Sequence, residues 1–319
     1  MKAIVVGSTN TDLIIHVDTL PSAGNTEIGH GFRSAPGGKG ANQAVCLARL
    51  GAGTSLIARF GKDEFSRGTL ENIERKGIDL SRCVIDEKHR GGIVFIIVDR
   101  NGDNTMFADL GSNLFLNGSD IENAGALFTG ADLLLLQFEV SDSANKKACE
   151  LAEINNVKIV LNPAPVRKFD KDIFDHVDLL TPNMHELSWI LEYTEGRSII
   201  SPDEKDTGKI GKAAGRLNAY GIGHVLVTAG KRGCIYVTPT DVRTFGTYRV
   251  KQVDSTAAGD AFTAALALKF AEGMEITDAV RYASACAAIT VSREGAIPSL
   301  PDSDEVEGFI MKNRMLEFE

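Results

Sequence analysis

Residues 254–262 read DSTAAGDAF, and the fold turns on how that stretch is read. A run of small residues, Thr256, Ala257, Ala258 and Gly259, leads straight into an acid, Asp260. An apolar helical pattern follows at once through Phe262, Leu266, Leu268 and Phe270. A helix start carries unpaired N–H groups and roughly half a positive charge. Small residues there let an anion approach the backbone. Asp260 then has two readings. It is either a helix-capping acid or a general base beside a hole that stabilises charge developing on a transferring group.

A second glycine-bearing stretch, PGGKGANQAVCLARLGA, occupies 36–52. Gly37, Gly38 and Gly40 open a helix whose apolar face carries Ala44, Val45, Leu47, Ala48 and Leu50. The glycines suggest a ligand held against the backbone. Asn42, in the first helical turn, suits a hydroxyl. Alone, a glycine turn before a helix is commonplace.

The 319 residues suffice for one large α/β domain or two smaller ones, and 43% apolar content supports a sizeable core. The net charge of −9 and pI of about 5.3, with no basic patch, argue against nucleic-acid or anionic-membrane partners. Five dispersed cysteines without a CxxC pair suggest reduced thiols in the cytoplasm. MKAIVVGSTN reads as a first strand rather than a signal peptide.

Consecutive apolar runs at 3–6, 55–58, 132–138, 158–162, 178–183 and 224–228 read as strands covered on both faces. Helices are expected at about 40–50, 64–76, 119–128, 141–154, 184–192 and 204–220, and two long ones at 258–272 and 276–291. Repeated βα units imply a mostly parallel sheet between helical layers, in a single domain over 1–319. Two stretches, 11–33 and 91–110, alternate polar and apolar residues. They read as antiparallel hairpins forming a small β lid: DLIIHV, TEIGHGF, GIVFIIVD and NTMFADLG, with Asn101-Gly102 as a turn signal. The phosphate-loop spacing GxxxxGK[ST], the dinucleotide fingerprint, GxSxG, HExxH and the kinase HRD and DFG pairs are all missing from the sequence. The dispersed histidines suggest no metal site.

Together, GGKGANQA and DSTAAGDAF are far more specific than either alone. The pair resembles the signatures of the ribokinase-like (PfkB) carbohydrate kinases. GSTNTDLI (7–14), QFEV (137–140), LNPAP (161–165), TPNMHE (181–186), VTAGKRG (227–233) and SREGAIPS (292–299) extend the resemblance over nearly the whole chain. It implies a three-layer α/β domain with a β lid, and an ATP-dependent sugar kinase. Ribose is the foremost substrate it suggests; deoxyribose, fructose, 2-keto-3-deoxygluconate or a nucleoside are alternatives, and a non-catalytic binder is the other class.

By the same resemblance, Asn10, Asp12, Gly38, Lys39, Asn42 and Glu139 match sugar contacts. Asp260 matches the catalytic base, with Ala257, Ala258 and Gly259 as the anion hole. Asn183 and Glu186 match residues that organise magnesium and the phosphates, Glu186 acting through water. Thr228, Gly230 and Gly259 match nucleotide contacts. Asp254, Thr256, Arg293, Gly295 and Ser299 match a loop holding a monovalent cation, potassium foremost. A homodimer through the lid is also implied. The sequence departs from the family pattern mildly, at Met184-His185 and at Ser255-Thr256-Ala257.

Overall fold

The computed structural model describes residues 1–100 and 104–318; the expected Asn101-Gly102 turn lies outside them. The strands are β1 (Lys2–Val6), β2 (Asn10–His16), β3 (His30–Gly37), β4 (Gly53–Ile57), β5 (Arg59–Gly61), β6 (Val84–Asp86), β7 (Gly92–Val98), β8 (Asn104–Asp109), β9 (Leu133–Leu136), β10 (Lys158–Leu161), β11 (Leu179–Leu180), β12 (His224–Thr228), β13 (Cys234–Val237) and β14 (Val242–Phe245). The helices are α1 (Lys39–Arg49), α2 (Glu64–Glu74), α3 (Gly118–Asn123), α4 (Asp142–Ile154), α5 (Met184–Glu195), α6 (Thr207–Gly215), α7 (Ala258–Ala271), α8 (Ile276–Val291) and α9 (Ser303–Lys312).

Eight strands form the central sheet in the order β14-β13-β12-β11-β10-β9-β1-β4, parallel from β4 to β12. Successive strand residues point to opposite faces, so each apolar run divides between two cores. Ala3, Val5, Leu133 and Leu135 pack with α1, α7 and α8. Ile4, Val6, Leu134 and Leu136 pack with α4, α5 and α6. Burial on both faces is why the sequence shows continuous rather than alternating hydrophobicity there. Every run read as a buried strand falls on this sheet. Three features went unread: the antiparallel edge β13–β14, the small β5–β6 pair, and α9.

A separate sheet, ordered β3-β2-β7-β8, covers one end of the domain. Its outer pairs are antiparallel, and β2 and β7 run parallel. The strand expected at TEIGHGF (26–32) is displaced: β3 begins only at His30 and runs to Gly37, which brings it to the threshold of α1. No helix of the described residues is long and apolar enough to cross a membrane, and all five cysteines are free.

The start of α1 is fixed by close backbone packing. A Cβ on Gly40 would lie 2.6 Å from the Gly7 carbonyl carbon and the Ser8 nitrogen. The Ala41 N–H donates to the Ser8 carbonyl at 2.9 Å. Gly38 caps the helix at φ 96°, where a side chain would be strained. A Cβ on Gly37 would collide with the Asp12 carboxylate at 2.3 Å. Gly37 and Gly40 therefore make room for the chain itself. The ligand-approach reading of this loop narrows to Gly38, which lines a cavity.

Candidate active site

The N-terminus of α7 has an unusual start. Ala257 sits in the left-handed region at φ 61° and offers no side-chain cap. For a residue with a Cβ that conformation costs of order 1 kcal/mol, and such strain concentrates at functional sites. The Ala258 N–H already donates to the Ser255 carbonyl at 3.2 Å, and the turn residues that line the cavity are Ser255, Thr256, Ala257 and Gly259, with Ala258 not among them. A Cβ built on Gly259 meets nothing within 4 Å, so open space lies before the helix start.

Asp260 is 6% exposed, and its carboxylate is bonded by side chains of another helix. Asn42 Nδ2 donates to Oδ2 at 2.8 Å, and Gln43 Nε2 donates to Oδ1 at 3.2 Å. Both donors sit near the start of α1, which the Gly40 packing holds in place. Burial pushes the Asp260 carboxyl up, while Lys39, Asn42 and Gln43 pull it back toward the charged form.

A cavity of about 400 Å³ brings together Asn10, Asp12, Gly38, Lys39, Asn42 and Glu139 with Asp260. Its roof is the lid face formed by Asn10 and Asp12 of β2, Val94 and Ile96 of β7, and Met106 and Ala108 of β8. The polar groups are held from outside the cavity. Asn113 Nδ2 donates to Asn10 Oδ1 at 2.9 Å. Ser8 Oγ donates to Glu139 Oε2, and the Lys39 N–H reaches the same oxygen at 3.2 Å. Asn42 Oδ1 is buried without a hydrogen-bond partner.

Charge here is lopsided. Burial, then the neighbouring Glu139 and Asp260, push the Asp12 carboxyl up to about 7. Lys39 is the one cation among the described lining residues. Burial opposes its charge, but Asp260, Glu139 and Glu186 outweigh it and raise its pKa.

At the other end, Asn183 and Glu186 form a capping box on α5. Asn183 N and Nδ2 each donate to Glu186 at 2.8 Å, and Glu186 N returns a bond to Asn183 Oδ1 at 2.8 Å. Burial raises the Glu186 carboxyl, opposed by Asn183 and Lys39. A second, more apolar cavity of about 430 Å³ adjoins the first and shares Thr228, Ser255 and Gly259 with it. Gly230 lies on its wall, with Tyr248, Phe262, Ala287 and Val291.

Of the residues matched to a cation loop, Thr256 and Gly295 bond Asp254. Its Oδ1 accepts from Thr256 N at 2.9 Å and Thr256 Oγ1 at 2.7 Å, and its Oδ2 from Gly295 N at 2.9 Å. Although burial works against it, these bonds and Arg33 hold Asp254 below the usual carboxylate range. Ser299 Oγ donates to the Ala296 carbonyl at 2.6 Å. The Arg293 guanidinium pairs instead with Glu305 at 2.5 Å, and its backbone N–H donates to the Thr290 carbonyl at 3.1 Å.

Sequence reasoning missed four contributors. Gln43 and Asn162 stand inside the quoted motifs but were given no role. Arg33 on β3 pairs with Glu294 at 2.8 Å, joining the lid to the cation-loop segment, and no local pattern announces so distant a pair. The wall of the second cavity comes partly from Ser284, Ala287, Ala288 and Val291, a helical repeat of small residues that was legible on α8.

The profile for "pfkB family carbohydrate kinase" matches residues 1–303. The chain is 32% identical to the ribokinase of Bacillus subtilis over 95% of its length and 97% of that protein's. It is 30% identical to the deoxyribokinase of Salmonella typhi, over 98% and 100%. It superposes on the Arabidopsis thaliana ribokinase complexed with ribose and ATP with a TM-score of 0.87 at 28% identity, covering 97% and 98% of the two chains.

Gly259 gives a sharp test of the α7 cradle. Gly259→Ala should leave thermal stability unchanged or raise it by about 0.5–1 kcal/mol, as expected for Gly→Ala within a helix. Turnover of ATP should fall by an order of magnitude or more, because the methyl group occupies the space before the helix start. Wild-type turnover in this variant would show that no transferring group passes there.

Proposed function

The chain belongs to the pfkB family of carbohydrate kinases, and from that premise we propose that it phosphorylates D-ribose with ATP, giving D-ribose 5-phosphate and ADP. One observation carries the reading. Asp260, the α7 turn and a set of hydroxyl-binding side chains share one cavity, next to an apolar cavity suited to a nucleoside.

The residues divide the work. Asn10, Asp12, Lys39, Asn42 and Glu139 bind the sugar hydroxyls, the carboxylates accepting and the amides both donating and accepting. Asp260 takes the proton from the hydroxyl that attacks the γ-phosphoryl. The backbone of Ala257 and Gly259 receives the charge of the transferring group. Thr228 and Gly230 flank the nucleotide. The lid excludes water, which limits hydrolysis of ATP.

Glu186 is the acid nearest the phosphate end, and Asn183 bonds both its oxygens. No group of three potential metal-ligating side chains occurs among the described residues. That donor set fits magnesium held mainly by the nucleotide and water, with Glu186 and Asn183 ordering the water shell. When bound, the ion neutralises phosphate charge. Asp254, ionised and bonded to both the α7 approach and Gly295, would hold a potassium ion beside the anion-hole turn, where its charge would order the turn without touching substrate. The lid's outer face exposes Phe32, Phe95 and Phe107, and Phe95 and Phe107 are cross-strand partners; we read this face as the homodimer interface.

Several measurements test this reading. In a coupled ADP-release assay, ribose should give the highest kcat/KM, with deoxyribose and fructose lower. Fructose 6-phosphate should stay near background, because Lys39 alone cannot host a phosphate among three acids. Asp260→Asn should lower kcat by about 10²–10⁴-fold with much less effect on sugar binding. Turnover equal to wild type would reduce Asp260 to a structural acid. A deoxyribose or adenosine preference would keep the family and discard ribose.

The pH dependence follows from Asp12. A hydroxyl donates more strongly to a carboxylate than to a neutral acid. Ribose should therefore bind more tightly as pH rises through about 7, the value to which Asp12 is raised, and release a proton on binding below it. Calorimetry in buffers of different ionisation heat checks this; a flat affinity with no proton release would contradict it.

Activity should be higher in potassium than in sodium or tetramethylammonium, and equal rates in all three would exclude a functional cation loop. Sedimentation should give a dimer that Phe107→Glu converts to monomer. A wild-type monomer would remove the lid interface.

A further inference from the structure

Gln43 is fully buried and is not among the residues lining the sugar cavity. Its amide is nevertheless bonded on three sides. Nε2 donates to Asp260 Oδ1 and to Asn162 Oδ1, both at 3.2 Å. Oε1 accepts from Gln137 Nε2 at 2.5 Å. Asn162 Nδ2 donates to the Thr181 backbone carbonyl at 3.2 Å, and Asn145 Nδ2 donates to the Gln137 backbone carbonyl at 2.8 Å, while Gln137 Oε1 has no partner. A flipped Gln43 amide would set its oxygen against Asp260 and its NH₂ against the Gln137 NH₂, so the network fixes which end faces the acid.

We propose that Gln43 is a positioning residue for Asp260, fixing the plane of the carboxylate and favouring its ionised, proton-accepting form. The inference rests on the reading of Asp260 as the base. The two α1 donors differ in kind. Asn42 lines the cavity, so its loss touches substrate directly. Gln43 touches only the base and the network around it. In dry surroundings, removing its N–H leaves Oδ1 short of a donor, frees the carboxylate to rotate, and favours the protonated acid.

The test compares Gln43→Met, Gln43→Glu and Asp260→Asn with wild type, measuring kcat and KM for ribose across the pH range. Gln43→Met should lower kcat by about tenfold or more at neutral pH, with KM within about threefold. The acid limb of kcat should move up by about half to one pH unit, the worth of one lost hydrogen bond, so activity partly recovers in alkali. Gln43→Glu keeps the shape and the acceptor for Gln137, which protects folding. It sets a second carboxyl against Asp260, and its acid limb should rise further than that of the Met variant. A purely packing role would lower stability or kcat without moving the limb. Limbs at the wild-type pH in both Gln43 variants would therefore overturn the inference, and if Gln43→Met does not fold, Gln43→Glu decides alone. Wild-type turnover in Asp260→Asn would remove the base itself and this inference with it. Loss of turnover there, with unmoved Gln43 limbs, would remove the inference and leave the base.

Discussion

The start of α1 meets the start of α7 through two side-chain bonds, Asn42 and Gln43 to Asp260, and the site is built on that contact. It depends in turn on Gly40, which lets α1 approach the Gly7–Ser8 backbone more closely than any side chain would permit. From this junction the sheet and lid contribute in order. Glu139 follows β9 and Asn162 follows β10, while β2 lays Asn10 and Asp12 over the opening. Groups distant in sequence converge at one end of a parallel sheet, where helix starts and strand ends meet.

Such convergence carries an electrostatic cost. Asp12, Glu139, Glu186 and Asp260 share one cavity with a single lysine, and burial raises the Asp12, Glu186 and Asp260 carboxyls. A sequence selected for stability alone would not assemble this cluster. The strained Ala257 is a second local cost at the same place. Local rules are broken together here, as expected at a functional site. The acids suit a ligand that brings hydroxyls to one end and phosphates, with their metal, to the other.

Much of this was legible in the sequence. Consecutive apolar runs reported strands buried on both sides, because both helical layers cover them. The pairing of GGKGANQA with DSTAAGDAF singles out Asp260, and the cavity gathers the side chains matched to sugar contacts. The rest was hidden for physical reasons. TEIGHGF alternates like a strand, yet β3 begins only at His30, because pairing with β2 rather than propensity decides the register. Edge strand β14 is short and exposed, so little hydrophobic pattern marks it. Arg33 and Glu294 are joined only by the fold. Gln43 stands inside GGKGANQA, but a buried amide within a motif has no signature of its own until its partners are in place.

The most direct test is a crystal structure with ribose and a non-hydrolysable ATP analogue. The primary hydroxyl of the sugar should lie within about 2.6–3.2 Å of an Asp260 carboxylate oxygen, with the γ-phosphate against the backbone of Ala257 and Gly259. A sugar bound with no hydroxyl in reach of Asp260, or a terminal phosphate seated away from the α7 turn, would contradict the account.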